Sequence, residues 1–182
     1  MDDLRPTEIL FTAGQIRERV AEMATDIWRD TPDTGARASR PGPLHLIAVL
    51  QGAFLFASEL LRHLEGRASL DFVTLSSYPI GTTSSGFVRL LKDLDGPIQG
   101  EDVVIVDDIV DTGGTLAFLQ ELLRERRPRS LRTACLLDKP ARRRVRVAVD
   151  YVGFTIPDSF VVGYGLDYNN EYRNLPYIAA LE

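Results

Sequence analysis

The sequence predicts an α/β protein whose mainly parallel sheet is covered by helices on both faces. Apolar β-branched runs, such as Val-Val-Ile-Val at 103–106, are typical of strands buried on both faces. These runs alternate along the chain with helical patterns, as they do in successive βαβ units. The 182 residues, 45% of them hydrophobic, are enough to bury one substantial core. We therefore expect residues 1–182 to form one domain, with a small subdomain made by the chain ends.

The first predicted element is a helix that begins after Thr12. Thr12 and Gln15 have the spacing of a capping box, in which each side chain accepts a hydrogen bond from the backbone N–H of the other residue. Apolar side chains then recur on one helical face as far as Trp28. The stretch 31–43 is rich in Pro, Gly, Ser and Arg, which is typical of a surface loop.

The next segments alternate between strand and helix. Residues 44–50 are predicted to form an apolar strand, and Gln51-Gly52 a tight turn. Residues 53–64 carry apolar side chains at helical spacing. A further strand is expected at 70–77.

The polar stretch at 78–86 contains several Ser, Thr and Gly residues, a composition suited to a mobile flap. An edge strand is expected near 87–91, before the central strand at 103–106 and the helix that follows it. A last buried strand is predicted at 131–137.

Polar or glycine-containing turns follow three of the predicted strands, at 50–52, 107–115 and 138–140. In open parallel sheets, ligands bind at the carboxyl ends of the strands, near the point where strand order switches. These turns are therefore expected to converge on one crevice.

The central turn has the composition of a site for a sugar phosphate. Its polar and glycine residues are Asp107, Asp108, Asp111, Thr112, Gly113, Gly114 and Thr115. Unpaired backbone N–H groups and the helix dipole attract an anion to a helix N-terminus, and glycines let the backbone approach that anion closely. Carboxylates beside a phosphate need another partner, such as sugar hydroxyls or Mg²⁺. The turn therefore predicts a ribose phosphate site.

Three other interpretations compete for this turn. Aspartates are also common as turn formers and helix caps. A nucleotide loop of another type is excluded, because the turn lacks the Gly-Lys-Ser/Thr of a Walker A loop and the chain lacks Gly-x-Gly-x-x-Gly. Asp111-Thr112-Gly113 matches the triplet of aspartic proteases, but those enzymes carry it in an all-β fold.

The charge distribution argues against a general nucleic-acid binder, because the formal net charge is −5. Arginines are nevertheless concentrated in one quarter of the chain, where they are expected to form a solvated face, with a subunit contact or an RNA surface as alternatives. They are Arg124, Arg126, Arg127, Arg129, Arg132, Arg142, Arg143, Arg144 and Arg146.

Two further features concern the compartment. The single cysteine, Cys135, lies in an apolar run, so we expect it to be buried and the protein to function in a reducing compartment. The sequence contains no signal segment and no apolar run long enough to span a bilayer. We therefore expect a cytoplasmic protein without a membrane partner.

Two motifs resemble those of a known family. The loop at 107–115 resembles the phosphoribosyl pyrophosphate signature of type I phosphoribosyltransferases. The run at 150–168, DYVGFTIPDSFVVGYGLDY, is similar to that of the hypoxanthine (6-oxopurine) branch and is the more specific motif. The resemblance extends over nearly the whole chain from Leu44 onward. It implies the type I fold, with a core at about 44–140 and a small hood from the N-terminal segment and about 150–182.

The resemblance implies a reaction of purine salvage. In that family, a purine nitrogen displaces pyrophosphate from C1′ of phosphoribosyl pyrophosphate, so hypoxanthine gives IMP and guanine gives GMP. The implied cofactor is Mg²⁺. The implied partners are these two substrates, together with further copies of the chain in a homodimer or homotetramer, and no nucleic acid.

The resemblance also implies which residues bind the sugar phosphate. Asp111 is the implied general base, and Asp167 the implied Mg²⁺ residue. Asp107 and Asp108 would accept hydrogen bonds from the ribose hydroxyls. The 5′-phosphate would be held by Thr112, Gly113, Gly114 and Thr115, and the pyrophosphate by Gln51, Gly52 and Arg173. In the family, the peptide bond in the turn before Gly52 is often cis.

The remaining implied roles concern the purine and the flap. Phe160 would stack on the purine, and the backbone of Val161 would bind its edge. Lys139 would donate to the oxygen at position 6, and because an ammonium can only donate, it favours hypoxanthine or guanine over adenine. Ser77 and Tyr78 match the start of the family's flexible catalytic loop.

The chain departs from the family pattern at two positions. Gln51 stands where many relatives have Lys or Arg, and Gly114 where some have Lys, so weaker pyrophosphate binding is expected. Two other functions remain as alternatives. One is a regulatory RNA-binding protein that keeps this fold, and the other is a phosphoribosyltransferase for a different nucleobase.

Overall fold

The computed structural model describes residues 5–31, 44–80 and 83–182, without the side chains of 77–80 and 83–87. In chain order the elements are β1 (Pro6–Phe11), α1 (Ala13–Asp30), β2 (Leu44–Leu50), α2 (Phe54–His63), β3 (Ala68–Ile80), β4 (Thr83–Lys92), β5 (Asp102–Val110), α3 (Gly114–Glu125), β6 (Ser130–Asp138), a 3₁₀ turn (Pro140–Arg142), β7 (Tyr151–Thr155), β8 (Val161–Val162) and β9 (Ile178–Leu181).

The main sheet has six strands in the order β4-β3-β2-β5-β6-β7. Only the outer pair β3 and β4 is antiparallel, and every other neighbouring pair is parallel. Strand β5 lies inside the sheet, and residues 102–107 of it are buried. The predicted α/β fold with a mainly parallel sheet is confirmed.

Helices cover both faces of this sheet. Successive side chains of a strand point to opposite faces, so one central strand contributes to two cores. Val104 and Val106 pack in a core that includes residues of α1 and α2. Val103 and Ile105 pack in a second core with Leu119 of α3. Cys135 is completely buried in this second core, as expected.

A second, three-stranded sheet joins the two chain ends in the order β1-β9-β8. Strand β1 runs antiparallel to β9, with Ile9 opposite Ala179. Strand β1 was not expected from the sequence. Its PTEILF sequence has no long apolar run, and the strand exists because it pairs with residues at the other end of the chain.

The predicted boundary between strand and flap was wrong. β3 continues to Ile80 and β4 begins at Thr83, with Tyr78 paired to Phe87. Antiparallel pairing satisfies the backbone groups of this polar stretch, and its Thr, Tyr and Ile residues favour strands. Residues 81 and 82 lie outside the described residues, as does 32–43 of the predicted surface loop.

Helix α1 begins as predicted. The Thr12 side chain accepts from the backbone N–H of Gln15, and the Gln15 side chain accepts from that of Thr12 at 2.9 Å. The helix ends at Asp30, slightly beyond the predicted Trp28. In the described parts of the chain, no helix is long and apolar enough to cross a membrane.

Candidate active site

The turns after β2 and β5 meet at the carboxyl edge of the main sheet, as predicted. Gly52 packs so closely on the Asp108 carboxylate that a β-carbon at position 52 would collide with it. On its other side, Gly165 packs against the Gly52 carbonyl oxygen. The peptide bond between Leu50 and Gln51 is cis, as the family resemblance implied.

A small cavity of about 90 Å³ lies where β5 passes into α3. It is lined by Asp107, Ile109, Val110, Asp111, Thr112, Gly113, Thr115 and Leu116. Gly113, the N-cap of α3, has a φ of +88°, a left-handed conformation that glycine adopts without strain. This geometry places a concave surface at the N-terminus of α3, where an anion is stabilised. Gly114 is the first residue of α3 and does not line this cavity.

Asp107 and Asp108 form a pair of adjacent carboxyl groups at the end of β5. Asp107 is buried, and the backbone N–H of Asp108 donates to its Oδ1 at 3.2 Å. Burial, and then the Asp108 carboxylate, raise the pKa of Asp107 well above its usual value. Burial also raises the pKa of Asp108, while Arg173 acts in the opposite direction. Two carboxyl groups in this position suit a ligand that brings hydrogen-bond donors or positive charge.

A larger cavity, of about 420 Å³, lies beside these carboxyl groups. It is lined by Asp108, Ile109, Asp111, Lys139, Arg142, Asp158, Phe160, Val161, Leu166 and Asp167. All three residues predicted to bind the purine therefore share one cavity with the predicted base and the predicted metal residue. These five predicted residues come from four separate stretches of chain, which lie after β5, after β6, around β8 and after Gly165.

Phe160 and Lys139 differ in exposure. Phe160 is 53% exposed, and its ring makes an edge contact with Tyr168, with ring centroids 5.7 Å apart. Lys139 is only 7% exposed. Burial lowers its pKa, while Asp111 and Asp158 act to raise it. The cavity thus offers an uncovered aromatic face and a nearly buried ammonium, which suits a planar ligand with an acceptor oxygen.

Arg142 is a site residue that the sequence analysis missed. Its Nε lies 2.9 Å from Oδ1 of Asp111, and its Nη1 lies 3.6 Å from Oδ1 of Asp158. The one signal in the sequence was its position three residues after Lys139, a spacing that one 3₁₀ turn brings to the same side.

Several arginines of the predicted solvated face are exposed, among them Arg129 and Arg142, and several members also bond to other groups of the chain. The bonds are Arg126 to Asp93, Arg129 to Asp102, Arg132 to Tyr151, Arg142 to Asp111 and Arg143 to Asp138.

Asp167 and Arg173 form an ion pair beside the turn that follows β2. Nη2 of Arg173 lies 2.7 Å from Oδ1 of Asp167, and Nη1 donates to the Gly165 carbonyl at 2.6 Å. The backbone N–H of Asn170 donates to the other Asp167 oxygen at 2.8 Å. Because Gly165 packs on Gly52, this pair is connected to the predicted pyrophosphate turn.

Two predicted residues are located only by their backbone. Ser77 and Tyr78 lie near the outer end of β3, and their side chains are outside the described residues. Gln51, in the turn after β2, is exposed and lines neither cavity.

The donor groups fit a magnesium ion shared with a substrate better than a metal held by protein alone. Within residues 5–31, 44–80 and 83–182, no group of three or more His, Cys, Asp or Glu side chains could hold a metal ion. Mg²⁺ is commonly bound by one or two carboxylates together with substrate phosphates and water. Asp167, which lines the large cavity, would supply one such carboxylate.

Comparison with known proteins gives a consistent result. A family model for the phosphoribosyl transferase domain matches residues 7–169. The hypoxanthine phosphoribosyltransferase of Escherichia coli is 44% identical over 171 residues, which are 94% of this chain and 93% of that protein. The hypoxanthine-guanine phosphoribosyltransferase of Mycobacterium avium is 48% identical over 174 residues, 96% of this chain and 85% of that protein.

Solved structures that resemble this chain belong to the same family as its sequence relatives. A ternary substrates complex of hypoxanthine phosphoribosyltransferase from Trypanosoma cruzi superposes with a TM-score of 0.90 at 46% identity, covering 97% of this chain and 96% of that one. A hypoxanthine-guanine phosphoribosyltransferase from Bacillus anthracis gives a TM-score of 0.87 at 40% identity, covering 99% of this chain and 100% of that one.

Proposed function

This chain belongs to the phosphoribosyltransferase family, among the hypoxanthine phosphoribosyltransferases, and we propose that it transfers the phosphoribosyl group of phosphoribosyl pyrophosphate to a 6-oxopurine. The products would be IMP from hypoxanthine, GMP from guanine, and pyrophosphate. The activity belongs to purine salvage.

One observation carries the proposal. A single cavity brings Asp111, Lys139 and Phe160 together with Asp108, and it lies next to the small cavity at the start of α3. The two cavities share Ile109 and Asp111. This arrangement supports a purine in the larger cavity and a 5′-phosphate in the smaller one, with the ribose between them and beside Asp107 and Asp108.

In the proposed reaction, a bond forms between C1′ and a purine nitrogen while the bond from C1′ to the pyrophosphate oxygen breaks. The electron pair of the broken bond leaves with pyrophosphate, and Asp111 takes the proton of the attacking nitrogen. Positive charge builds on the ribose in the transition state, so acceptors near the sugar stabilise it. Asp107 and Asp108, at the end of β5, would supply these acceptors.

Lys139 supports the choice of purine. Its nearly buried ammonium can donate to the oxygen at position 6 of hypoxanthine or guanine. The 6-amino group of adenine would leave one donor facing another, and an unpaired buried donor costs much of the binding free energy. The exposed face of Phe160 supports stacking on the purine, and Val161 lines the same cavity.

At the pyrophosphate end, we infer roles for Arg173, Gly52, Gln51 and Asp167. Arg173 would offer its guanidinium to the leaving group, and the turn after β2 would offer backbone N–H groups. Asp167 would hold Mg²⁺ together with substrate oxygens. When bound, this ion neutralises part of the charge that develops on pyrophosphate. Because Gln51 is uncharged, we expect weaker pyrophosphate binding than in relatives with a cation at this position.

The test is a panel of nucleobases incubated with phosphoribosyl pyrophosphate and Mg²⁺, with nucleoside monophosphate measured as the product. We expect product from hypoxanthine, guanine or both, and none from adenine or uracil. The rates also rank hypoxanthine against guanine. Absence of product from every 6-oxopurine would refute the proposal, and product from uracil alone would favour the alternative nucleobase.

The RNA-binding alternative has no support from the relatives. Much of the arginine cluster is engaged with groups of the chain itself, and the net charge is −5. Assembly into a homodimer or homotetramer stays a prediction, which sedimentation velocity would test. Cytoplasmic location also stays a prediction.

A further inference from the structure

Arg142 joins two carboxylates that face the proposed purine cavity. Its Nε donates to Asp111 at 2.9 Å, and its Nη1 lies 3.6 Å from Asp158. Asp111 belongs to the turn after β5, whereas Asp158 precedes β8. The guanidinium therefore connects two parts of the cavity wall that are far apart in sequence.

The backbone holds the Arg142 segment firmly against the phosphate turn. The N–H of Arg142 donates to the Lys139 carbonyl at 3.1 Å, which closes the 3₁₀ turn. The N–H groups of Arg144 and Val145 both donate to the Thr112 carbonyl at 3.0 Å. The position of Arg142 over Asp111 is thus fixed by hydrogen bonds on both sides of it.

The same cavity contains a second cation that has a different task. Lys139 lies near enough to Asp111 and Asp158 for both carboxylates to affect its pKa. If Lys139 paired with either carboxylate, its ammonium would be less available to the purine oxygen. Arg142 already pairs with Asp111 and lies 3.6 Å from Asp158, so it competes with Lys139 for both acids. The fork geometry of a guanidinium suits a contact with two acids at once.

We propose that Arg142 is a positioning residue, which orients the Asp111 carboxylate for proton transfer and keeps Lys139 free to bind the purine. This inference rests on the proposed function, in which Asp111 is the general base. It predicts an effect on turnover and on purine binding, and none on the binding of phosphoribosyl pyrophosphate.

The decisive experiment is a double-mutant cycle with Arg142→Gln and Asp111→Asn. Alone, Arg142→Gln should lower kcat about tenfold, because a displaced catalytic group loses rate steeply, and should raise KM for hypoxanthine. KM for phosphoribosyl pyrophosphate should stay unchanged. In the Asp111→Asn background, removal of Arg142 should have no further effect on kcat, because its target is already lost.

The matched control is Arg144→Gln. Arg144 is exposed in the same segment, its contact with Thr112 uses only the backbone, and its side chain has no charged partner within the described residues. This variant should keep wild-type kinetics. Arg142→Lys should recover part of kcat, because one ammonium can replace the guanidinium at only one of the two carboxylates. Thermal unfolding of each variant separates lost folding from lost positioning.

The possible failures are distinguishable. An inactive wild-type protein would refute the proposed function, and this inference with it. If Asp111→Asn keeps the wild-type rate, the base assignment fails and Arg142 has nothing to position. If the wild type is active and the two substitutions lower kcat by independent factors, only the inference about Arg142 is refuted. An increase in KM for phosphoribosyl pyrophosphate alone would also refute it.

Discussion

Gly113→Ala should destabilise the protein and weaken its phosphate site together. Gly113 has a φ of +88°, and a left-handed conformation costs an L-residue about 1–2 kcal/mol. A β-carbon there would also lie 2.6 Å from the Val145 carbonyl oxygen. The 142–145 segment would have to move, which weakens the two hydrogen bonds to Thr112, each contributing about 1 kcal/mol. We expect the free energy of unfolding to fall by about 2–3 kcal/mol.

The assay is urea and thermal unfolding together with steady-state kinetics. At 182 residues, a loss of this size lowers Tm by about 6 °C, which is readily measured. KM for phosphoribosyl pyrophosphate should rise about tenfold, equivalent to about 1.4 kcal/mol, because the backbone N–H groups of the turn are displaced.

The neighbouring glycine provides the control. A β-carbon at Gly114 would meet nothing within 4 Å, and this residue begins α3. Alanine keeps the backbone N–H through which Gly114 is expected to bind the phosphate, so Gly114→Ala should keep the kinetics and leave stability unchanged or raise it by up to about 1 kcal/mol. If the two alanine variants unfold at the same urea concentration and show the same KM, the reasoning about the turn is wrong.

Two further predictions concern Lys139 and Asp71. Lys139→Ala should lower kcat/KM for hypoxanthine about tenfold to hundredfold, because a hydrogen bond from a charged group is lost. KM for phosphoribosyl pyrophosphate should stay constant. A change in KM for phosphoribosyl pyrophosphate alone would contradict the assignment of Lys139 to the purine. Burial would raise the pKa of Asp71, but hydrogen bonds from the N–H groups of Asp95 and Phe72 and the charge of Lys92 outweigh burial, so its pKa is lowered. The stability that this carboxylate adds is therefore present above its usual pKa of 3.8 and is lost as the pH falls through the lower folded-state value. Asp71→Asn should be less stable than wild type at pH 7, and the difference should shrink toward pH 3 in urea unfolding; a constant difference would exclude the ionised carboxylate as its cause.

The elements of the main sheet could be predicted because burial dictates their composition. β2 spans the predicted 44–50, and β6 contains the predicted 131–137, since both consist mostly of apolar residues covered by neighbouring layers. β1 could not be predicted in the same way. Its residues alternate little in polarity, and its pairing with β9 depends on chain segments separated by the whole length of the protein.

The candidate site, like the fold, could be predicted from the sequence only in part. Residues at strand ends, such as Asp108 and Lys139, meet because parallel strands place their carboxyl ends at one edge. Arg142 and Asp158 were not found, because their pairing depends on the path of two loops rather than on strand order. The composition of an arginine-rich stretch does not separate a bonded arginine from a solvated one, and the one signal for Arg142 was its spacing from Lys139.

The arrangement of charge in the site accounts for the order in which these groups act in the proposed reaction. Asp107 and Asp108 are adjacent carboxyl groups at the proposed sugar position, and burial raises the pKa of each, so ionising both in the free protein is costly. A ribose that becomes positively charged lowers that cost only as the transition state forms, which is the differential binding that accelerates a reaction. Asp111 is different, because it is partly exposed and already paired with Arg142. Arg142 therefore fixes the orientation of the Asp111 carboxyl group before the purine arrives, whereas in the proposed reaction the pair on β5 gains its full stabilisation from the reacting sugar.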